Sequence, residues 1–454
     1  MSGVIAARAQ TGTSLGFHIV FAVLGVGLPL FLFIAEGMGL RTGDKVWYTL
    51  ARRWSKTFAI LFVVGAVSGT ILSFEFGLLW PRFMGFATSV IGLPFALEGF
   101  MFFLEGIFLG LYLYGWKRLS PVAHWLCGIP LVIGGAGSTA FIVTVNAWMN
   151  TPAGFQLSHG ALIDPNPLAA MGNPGAANEI IHMLLAAYEA TGFGVAGIYA
   201  LIMLLGRRRD AYLRRGVLLG MIIGSIAAPL QILSGDANAK LVAQYQPVKL
   251  AAMEGQFQTE QGAAEHILGW PDPATHKLYF SFDIPHLLAW LAYGNPNATV
   301  RGLDAFPADQ QPPVQVVHLT FDTMVGIGFF MVGVVALFWG QYLWRRRKHQ
   351  NPRLPENRLT LWLVALGCPL TFLAIECGWI TTCIGRQPWI IQGILRVNDA
   401  VTNAPGLGLF FGGFTGIYIL LSVALAYLLI RMAREGNEDD MQEVERLRPQ
   451  KVAA

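Results

Sequence analysis

Nine stretches of this sequence are apolar over about 20 residues or more, the length a helix needs to cross the hydrocarbon core of a bilayer. They lie at roughly 14–36, 57–80, 90–115, 122–147, 180–205, 216–235, 317–342, 359–382 and 405–431. In lipid every backbone N–H and C=O must be satisfied within the chain, so each stretch has to be a helix. The expected fold class is therefore an all-α integral membrane protein with nine transmembrane helices. Composition agrees: 54% of the 454 residues are hydrophobic and only 13% charged, about half the charge of an average soluble domain. The 52 glycines and 13 tryptophans suit close helix crossings and interfacial belts. The sixth stretch is the weakest, being short and carrying Pro229.

Basic residues alternate between loops. Arg41, Lys45, Arg52, Arg53 and Lys56 follow the first stretch, and Lys117 and Arg118 the third. Arg207, Arg208, Arg209, Arg214 and Arg215 follow the fifth, and Arg345, Arg346, Arg347, Lys348, Arg353 and Arg358 the seventh. Arg431, Arg434, Arg446 and Arg448 follow the ninth. Positive charge marks the cytoplasmic side, which places the N-terminus outside and the C-terminus inside. The first stretch runs on past Ala35 into basic residues with no small-residue cleavage site, so it reads as a retained span. The expected organisation is spans one to six over 1–235, an ordered external segment over 236–316, spans seven to nine over 317–432 and a cytoplasmic tail over 433–454. Cys127, Cys368, Cys377 and Cys383 form no CxxC, which argues against a disulfide framework or a zinc site. The net charge of +4 calls for no nucleic-acid partner.

Ionisable residues inside a span are costly and are functional candidates by default. Glu98 and Glu105 are seven apart, close to two helical turns, and share one face of the third span. His182 and Glu189 repeat that spacing in the fifth, and Ser138 and Asn146 are eight apart in the fourth. His18 lies near the outer end of the first span, His318, Asp322 and Met324 open the seventh, and Glu376 is in the eighth. Taken singly, most have plain readings: helix-to-helix hydrogen bonds for Ser138 and Asn146, packing for Met324, solvated edge positions for His318 and Asp322. The paired carboxylates point to a proton path or a cation site, and histidines in different spans to a metal or haem.

The motifs ARAQTGTSLGFHIVF around His18, FEFG with Trp80, LEGFMFFLEG at 97–106, GWKRL at 115–119, VNAWMNTP at 145–152, KLAAMEGQF at 249–257 and GRQPW at 385–389 run through the whole chain. With them the sequence resembles subunit I of the cytochrome bd quinol oxidases. The resemblance implies a multi-pass protein of the bacterial cytoplasmic (inner) membrane that oxidises ubiquinol or menaquinol at the outer face. It would reduce dioxygen to water with cytoplasmic protons, building membrane potential without pumping. It implies three haems: a low-spin haem b, a high-spin haem b and a haem d. His182 and Met324 match the low-spin ligands, a pair that fills both axial positions and favours electron transfer. His18 matches the ligand of one active-site haem, and the sequence does not say which. Glu98 and Glu105 match proton-carrying carboxylates, with Ser138 and Asn146 along the same route. Lys249 and Glu254 match quinol-site residues, Trp379 an aromatic between haems, and Arg8 and Arg386 arginines that hold haem propionates. A second large membrane subunit is implied, often with a small single-span one.

Three positions depart from the family pattern. Cys383 stands where the family has a glutamate that binds the second active-site haem. Either the thiol ligates that haem, or the haem is held weakly, or it is absent; Glu376, two turns earlier, would have to move the haem to replace the missing ligand. Asp322 stands where the family often has an arginine two residues before the methionine ligand. The external segment is short, as in the cyanide-insensitive branch. Glu189 has no counterpart in the pattern and reads as a hydrogen-bonded structural glutamate. Two alternatives stay open at this level: a divergent bd-like subunit with altered oxygen chemistry, and, in a different class, a proton-coupled transporter motivated by the intramembrane carboxylates alone.

Overall fold

The computed structural model describes residues 3–206, 209–348, 353–434 and 438–447. Arg207, Arg208 and Arg448, counted above among the basic residues, lie outside them. Among the described residues nine helices are long and apolar enough to span a membrane: Gly3–Thr42, Lys45–Leu79, Pro81–Gly115, Pro121–Asn150, Ala176–Gly206, Ala211–Tyr245, Val314–Lys348, Arg358–Ile384 and Leu407–Arg434. They are called spans one to nine below. Seven contain their expected apolar stretch whole, while span two ends one residue short of its stretch and span nine begins two residues late; most extend further at an end because helix continues into the polar residues there. Asp44, Asp210 and Asn357 cap spans two, six and eight by accepting from the backbone N–H of Val46, Leu213 and Thr360 at 2.9–3.0 Å. Span six continues through Pro229 to Tyr245, so the segment expected to begin at 236 leaves the bundle ten residues later.

Span five is the centre of the bundle and span nine its most exposed member. Span five crosses span six through glycines. A Cβ on Gly220 would sit 2.6 Å from the Gly192 carbonyl oxygen, and one on Gly192 would sit 2.6 Å from the Gly224 nitrogen. Spans one, three and four meet in a similar crossing, where a Cβ on Gly135 would lie 2.8 Å from the Gly25 carbonyl oxygen. Lipid supplies no hydrophobic drive between helices, so such close backbone approach is what holds them together.

One end of the bundle is covered. The connections after spans four, six and eight carry short antiparallel hairpins, among them Glu265–Ile267 with Phe282–Ile284 and Trp389–Ile391 with Leu395–Arg396. They are tied to the bundle by bonds such as Gln392 N–H to the Met149 carbonyl, 2.9 Å. The longest connection opens with the short helix Pro247–Met253, which is buried along its length. This is the capped face. The opposite, basic face carries the arginine-rich turns. There the tail is ordered as a helix, Glu438–Leu447, held on span two by Arg52–Glu443 at 2.8 Å and by Arg53–Asp440 and Lys56–Asp440 at 3.1 and 2.6 Å.

Candidate haem and quinol sites

His182 of span five and Met324 of span seven line one cavity, together with Glu189, Gln231, Phe321, Gly328, Gly378 and Trp379. Ser234 donates its hydroxyl proton to the Gln231 carbonyl at 3.0 Å, so towards His182 Nδ1, at 2.8 Å, its oxygen accepts. That fixes the proton on Nδ1 and leaves the Nε2 lone pair facing the Gln231 amide at 3.0 Å. Glycine keeps the walls thin: a Cβ on Gly378 would sit 3.0 Å from the Met324 sulfur. An imidazole with a bare Nε2 and a thioether on a mainly apolar cavity are a donor set that suits haem iron. Glu189 is buried on the same wall.

Towards the capped face this cavity ends in a buried polar network. Glu179 accepts from Asn146 at 2.8 Å and Asn150 at 2.9 Å. The Asn150 carbonyl oxygen in turn accepts from Arg386 at 2.9 Å and Lys249 at 3.3 Å. Lys249 is 3% and Arg386 6% exposed. Burial, then the Arg386 guanidinium, push the Lys249 ammonium down to about 7, and burial lowers Arg386 as well. Two cationic side chains share one carboxylate here, and Arg386 Nε is buried without a hydrogen-bond partner. The network is short of negative charge, which a haem propionate would supply. Cys383 interacts electrostatically with Arg386, Lys249 and Glu179 in the same network.

His18 of span one repeats the serine device. Ser68 donates to the Val64 carbonyl at 3.0 Å and faces His18 Nδ1 at 2.9 Å. A Cβ on Gly69 would lie 2.9 Å from the ring, so glycine is needed there for the imidazole to fit. The carboxylate that span eight brings near this histidine is Glu376, whose Oε2 would lie 3.3 Å from a Cβ on Gly16. Trp379 lines the His182 cavity and also belongs to the apolar cluster containing Ile19, next to His18.

Glu98 accepts from Ser138 at 3.0 Å. Glu105, 4% exposed, has Oε1 buried with no partner and lies against Gly25, Gly134 and Gly135. Asn146 does not join them. It turns to Glu179 and Arg386, because it lies eight residues, about two turns, beyond Ser138 towards the capped end, past the level of Glu98.

Lys249 and Glu254, paired in the sequence reading, are separated by the short helix that carries them. Lys249 enters the network above. Glu254, 4% exposed, joins Glu265 and Asp322 on the other side. Burial, then Glu265 and Asp322, hold the Glu254 carboxyl well above its ordinary range, and burial followed by Asp322 pushes Glu265 up to about 7. His318 is not a solvated edge residue. It is fully buried, with Nδ1 donating to the Met253 carbonyl at 2.7 Å and Nε2 3.4 Å from Asp322. Asp322 also lines a lateral, mainly apolar cavity with Leu268, Leu319, Thr323, Phe330 and Leu370. Arg8 stands apart, exposed on span one. Sequence reasoning missed Glu179 and Asn150. Glu179 lies three residues before His182, and the signal was a second carboxylate on that helix beside Glu189.

Comparison with known proteins gives one answer. Residues 6–437 match the family model of cytochrome bd terminal oxidase subunit I. The chain is 31% identical to cytochrome bd ubiquinol oxidase subunit 1 of Bacillus subtilis (strain 168), over 97% of this chain and 95% of that one. It is 29% identical to cytochrome bd-II ubiquinol oxidase subunit 1 of Escherichia coli (strain K12), over 94% and 96%. The solved bd oxidase of Geobacillus thermodenitrificans superposes with a TM-score of 0.89 at 38% identity, covering 96% of this chain and 99% of that one. A family match over residues 6–437 and relatives named quinol oxidases rule against the transporter reading. The chain belongs to the family of cytochrome bd terminal oxidase subunit I, the membrane-embedded quinol oxidases of the bacterial respiratory chain.

Proposed function

We propose that this chain oxidises quinol at its capped face and reduces dioxygen to water with protons drawn through the basic face. The basic face is then cytoplasmic and turnover is electrogenic without a pump. The observation that carries the reading is the placement of His182 and Met324 on one cavity, with a cation-rich network at its capped end. Bound there, a low-spin haem b would supply one-electron transfer between quinol and the oxygen site. The protein's part is to hold and orient. His182 and Met324 would hold the iron, Lys249 and Arg386 would hold the haem carboxylates, and Trp379 lies between this cavity and the His18 side. His18 serves a second haem, of the high-spin b or d type.

Quinol reaches the lateral cavity beside Asp322 from the lipid, and its phenolic protons pass to Glu254 and Glu265. Burial beside like charge holds both carboxyls above their ordinary range, Glu265 at about 7. Glu98 and Glu105 deliver protons to the oxygen site. Cys383, which stands beside Lys249, Arg386 and Glu179, is assigned as the ligand of the third haem. The natural assembly includes the second large subunit that a subunit I implies, and a small single-span subunit completes it.

A reduced-minus-oxidised spectrum of the purified complex, read with quinol-driven oxygen consumption in vesicles, tests this. Expected are haem b and haem d bands and a membrane potential that forms with turnover. Absence of haem, or turnover without potential, overturns the corresponding part.

A further inference from the structure

At the basic end of the bundle lies a titratable pair that none of the roles above uses. Glu36, near the end of span one, and His124, at the start of span four, are both fully buried. His124 Nδ1 is 2.7 Å from Glu36 Oε1, and its Nε2 is 2.8 Å from the Tyr112 carbonyl oxygen. The rings of Tyr112 and Trp116 cover the imidazole at 4.4 and 4.5 Å. Trp125 closes the side, donating to the Phe33 carbonyl at 3.0 Å.

The bonding dictates the proton count. A backbone carbonyl only accepts, so Nε2 must carry a hydrogen. One further proton then lies on the short line between Nδ1 and Oε1. It makes either a neutral imidazole with a carboxylic acid or an imidazolium with a carboxylate. Both forms are net neutral, so the pair holds one mobile proton without burying net charge. The other oxygen, Glu36 Oε2, is buried and has no partner. A buried carboxylate oxygen left bare is costly, and a proton or a water relieves it.

Tyr112 connects the pair to known ground. Glu98, Glu105 and Tyr112 are successive positions at seven-residue spacing on span three, one stripe with steps of roughly 10 Å along the helix. Glu105 also carries a buried, partnerless oxygen. The stripe therefore runs from Glu98 and its Ser138 bond to the wall of the His124 pocket. A proton crossing steps of that length would need water between the fixed groups. The other charged group facing the pocket is Arg52 of span two, which stacks over Trp116 at 5.5 Å and donates to the Leu113 carbonyl at 3.1 Å. It is also paired with Glu443 at 2.8 Å, so only part of its charge is left to favour the anionic pair after a proton departs.

We propose that Glu36 and His124 form a buried one-proton relay at the basic end of the bundle, feeding the Glu105–Glu98 stripe. In each cycle the pair gives up its shared proton towards Glu105, is briefly an anion beside Arg52, and is reprotonated at Glu36 Oε2 from the basic face. The inference rests on the proton-uptake reading given above and adds its intake point. The competing role is a structural pin between spans one, three and four.

Glu36→Gln separates the two, since the amide keeps the shape and a hydrogen bond to His124 and cannot carry the proton. The measurement uses the purified oxidase complex in vesicles, with quinol-driven oxygen consumption, dye-reported proton uptake after a single turnover, and haem spectra. The relay requires unchanged haem content, uptake and turnover slowed by about 100-fold, at the lower end of what a positioned proton carrier contributes, and partial rescue in Glu36→Asp. Turnover within about twofold of native, at native haem content, overturns it. Should Glu36→Gln fail to accumulate with haem, Glu36→Asp decides alone. The shorter acid lengthens the bond to His124, so the relay demands slower uptake and a larger solvent deuterium effect, and native values for both overturn it. Failure of the broader reading looks different, because the native complex would then consume no oxygen or take up no protons from the basic face.

Discussion

The two ends of the bundle bury charge in opposite ways. At the basic face cations and carboxylates are matched: Arg52, Arg53 and Lys56 face Asp440 and Glu443, and Arg214 faces Glu356 at 2.5 Å. Beneath the capped face Lys249 and Arg386 share one carboxylate, while Glu254, Glu265 and Asp322 crowd together with His318 beside Asp322 and no lysine or arginine paired to them among the described residues. Matched pairs near solvent contribute little and fasten the tail. Mismatched charge in a buried place is expensive and persists where a bound group or a moving proton completes it.

The comparison can be broken most decisively at the haem donors. His182→Ala or Met324→Ala removes an axial donor, and quinol oxidase activity should be lost together with the low-spin haem b spectrum. Retention of both would sink the assignment. Next comes the cation excess. Arg386→Gln should lower haem occupancy and turnover by roughly tenfold or more, because a charge-assisted contact is worth about 1.5–3 kcal/mol. The pyridine haemochrome assay reads this directly, and full occupancy would show that propionates are held elsewhere.

The acidic side yields a pH signature. Glu265 in the fold sits at about 7, above its ordinary 4.5. The folded protein therefore holds this proton where the unfolded chain has lost it, so its contribution to stability falls as pH rises from 4.5 to about 7 and is level beyond. As a proton acceptor it works as the carboxylate, so quinol oxidation should rise with pH through about 7. Glu265→Gln should flatten that limb, and a limb that survives removes Glu265 from the proton route. The smallest effect belongs to the matched end. Glu443→Gln should cost about 0.5 kcal/mol or less, fading with salt, and leave turnover intact. A large drop in melting temperature would mean that the tail helix is integral to the bundle.

Much of this molecule was legible before folding. Hydropathy is a local property, so nine spans could be read from nine stretches, and prolines such as Pro229 did not break them because flanking helix carried the backbone through. The functional residues stood out for the same reason: His182, Glu105 and Glu98 are expensive where they are. What could not be read was direction. Asn146 and Ser138 share a face of span four, yet one bonds Glu179 and the other Glu98, since the neighbours of a helix face change along its length. Lys249 and Glu254 are five residues apart, and the short buried helix between them sends one to the cation-rich network and the other to the acidic cluster. The Glu36–His124 bond joins positions 88 apart; each is an ionisable residue at the edge of an apolar stretch, and nothing local says that the two meet.

The glycine crossing of spans five and six has a reach beyond its own contact. His182 rides on span five, while Ser234 and Gln231, which set its tautomer and face its bare nitrogen, ride on span six. The spacing of those two helices is set where Gly192 meets Gly220 and Gly224. A single methyl placed there, about three turns from the imidazole along span six, would splay the pair and loosen the orienting bond. The crossing thus sets, from a distance, how firmly span six holds the His182 ring.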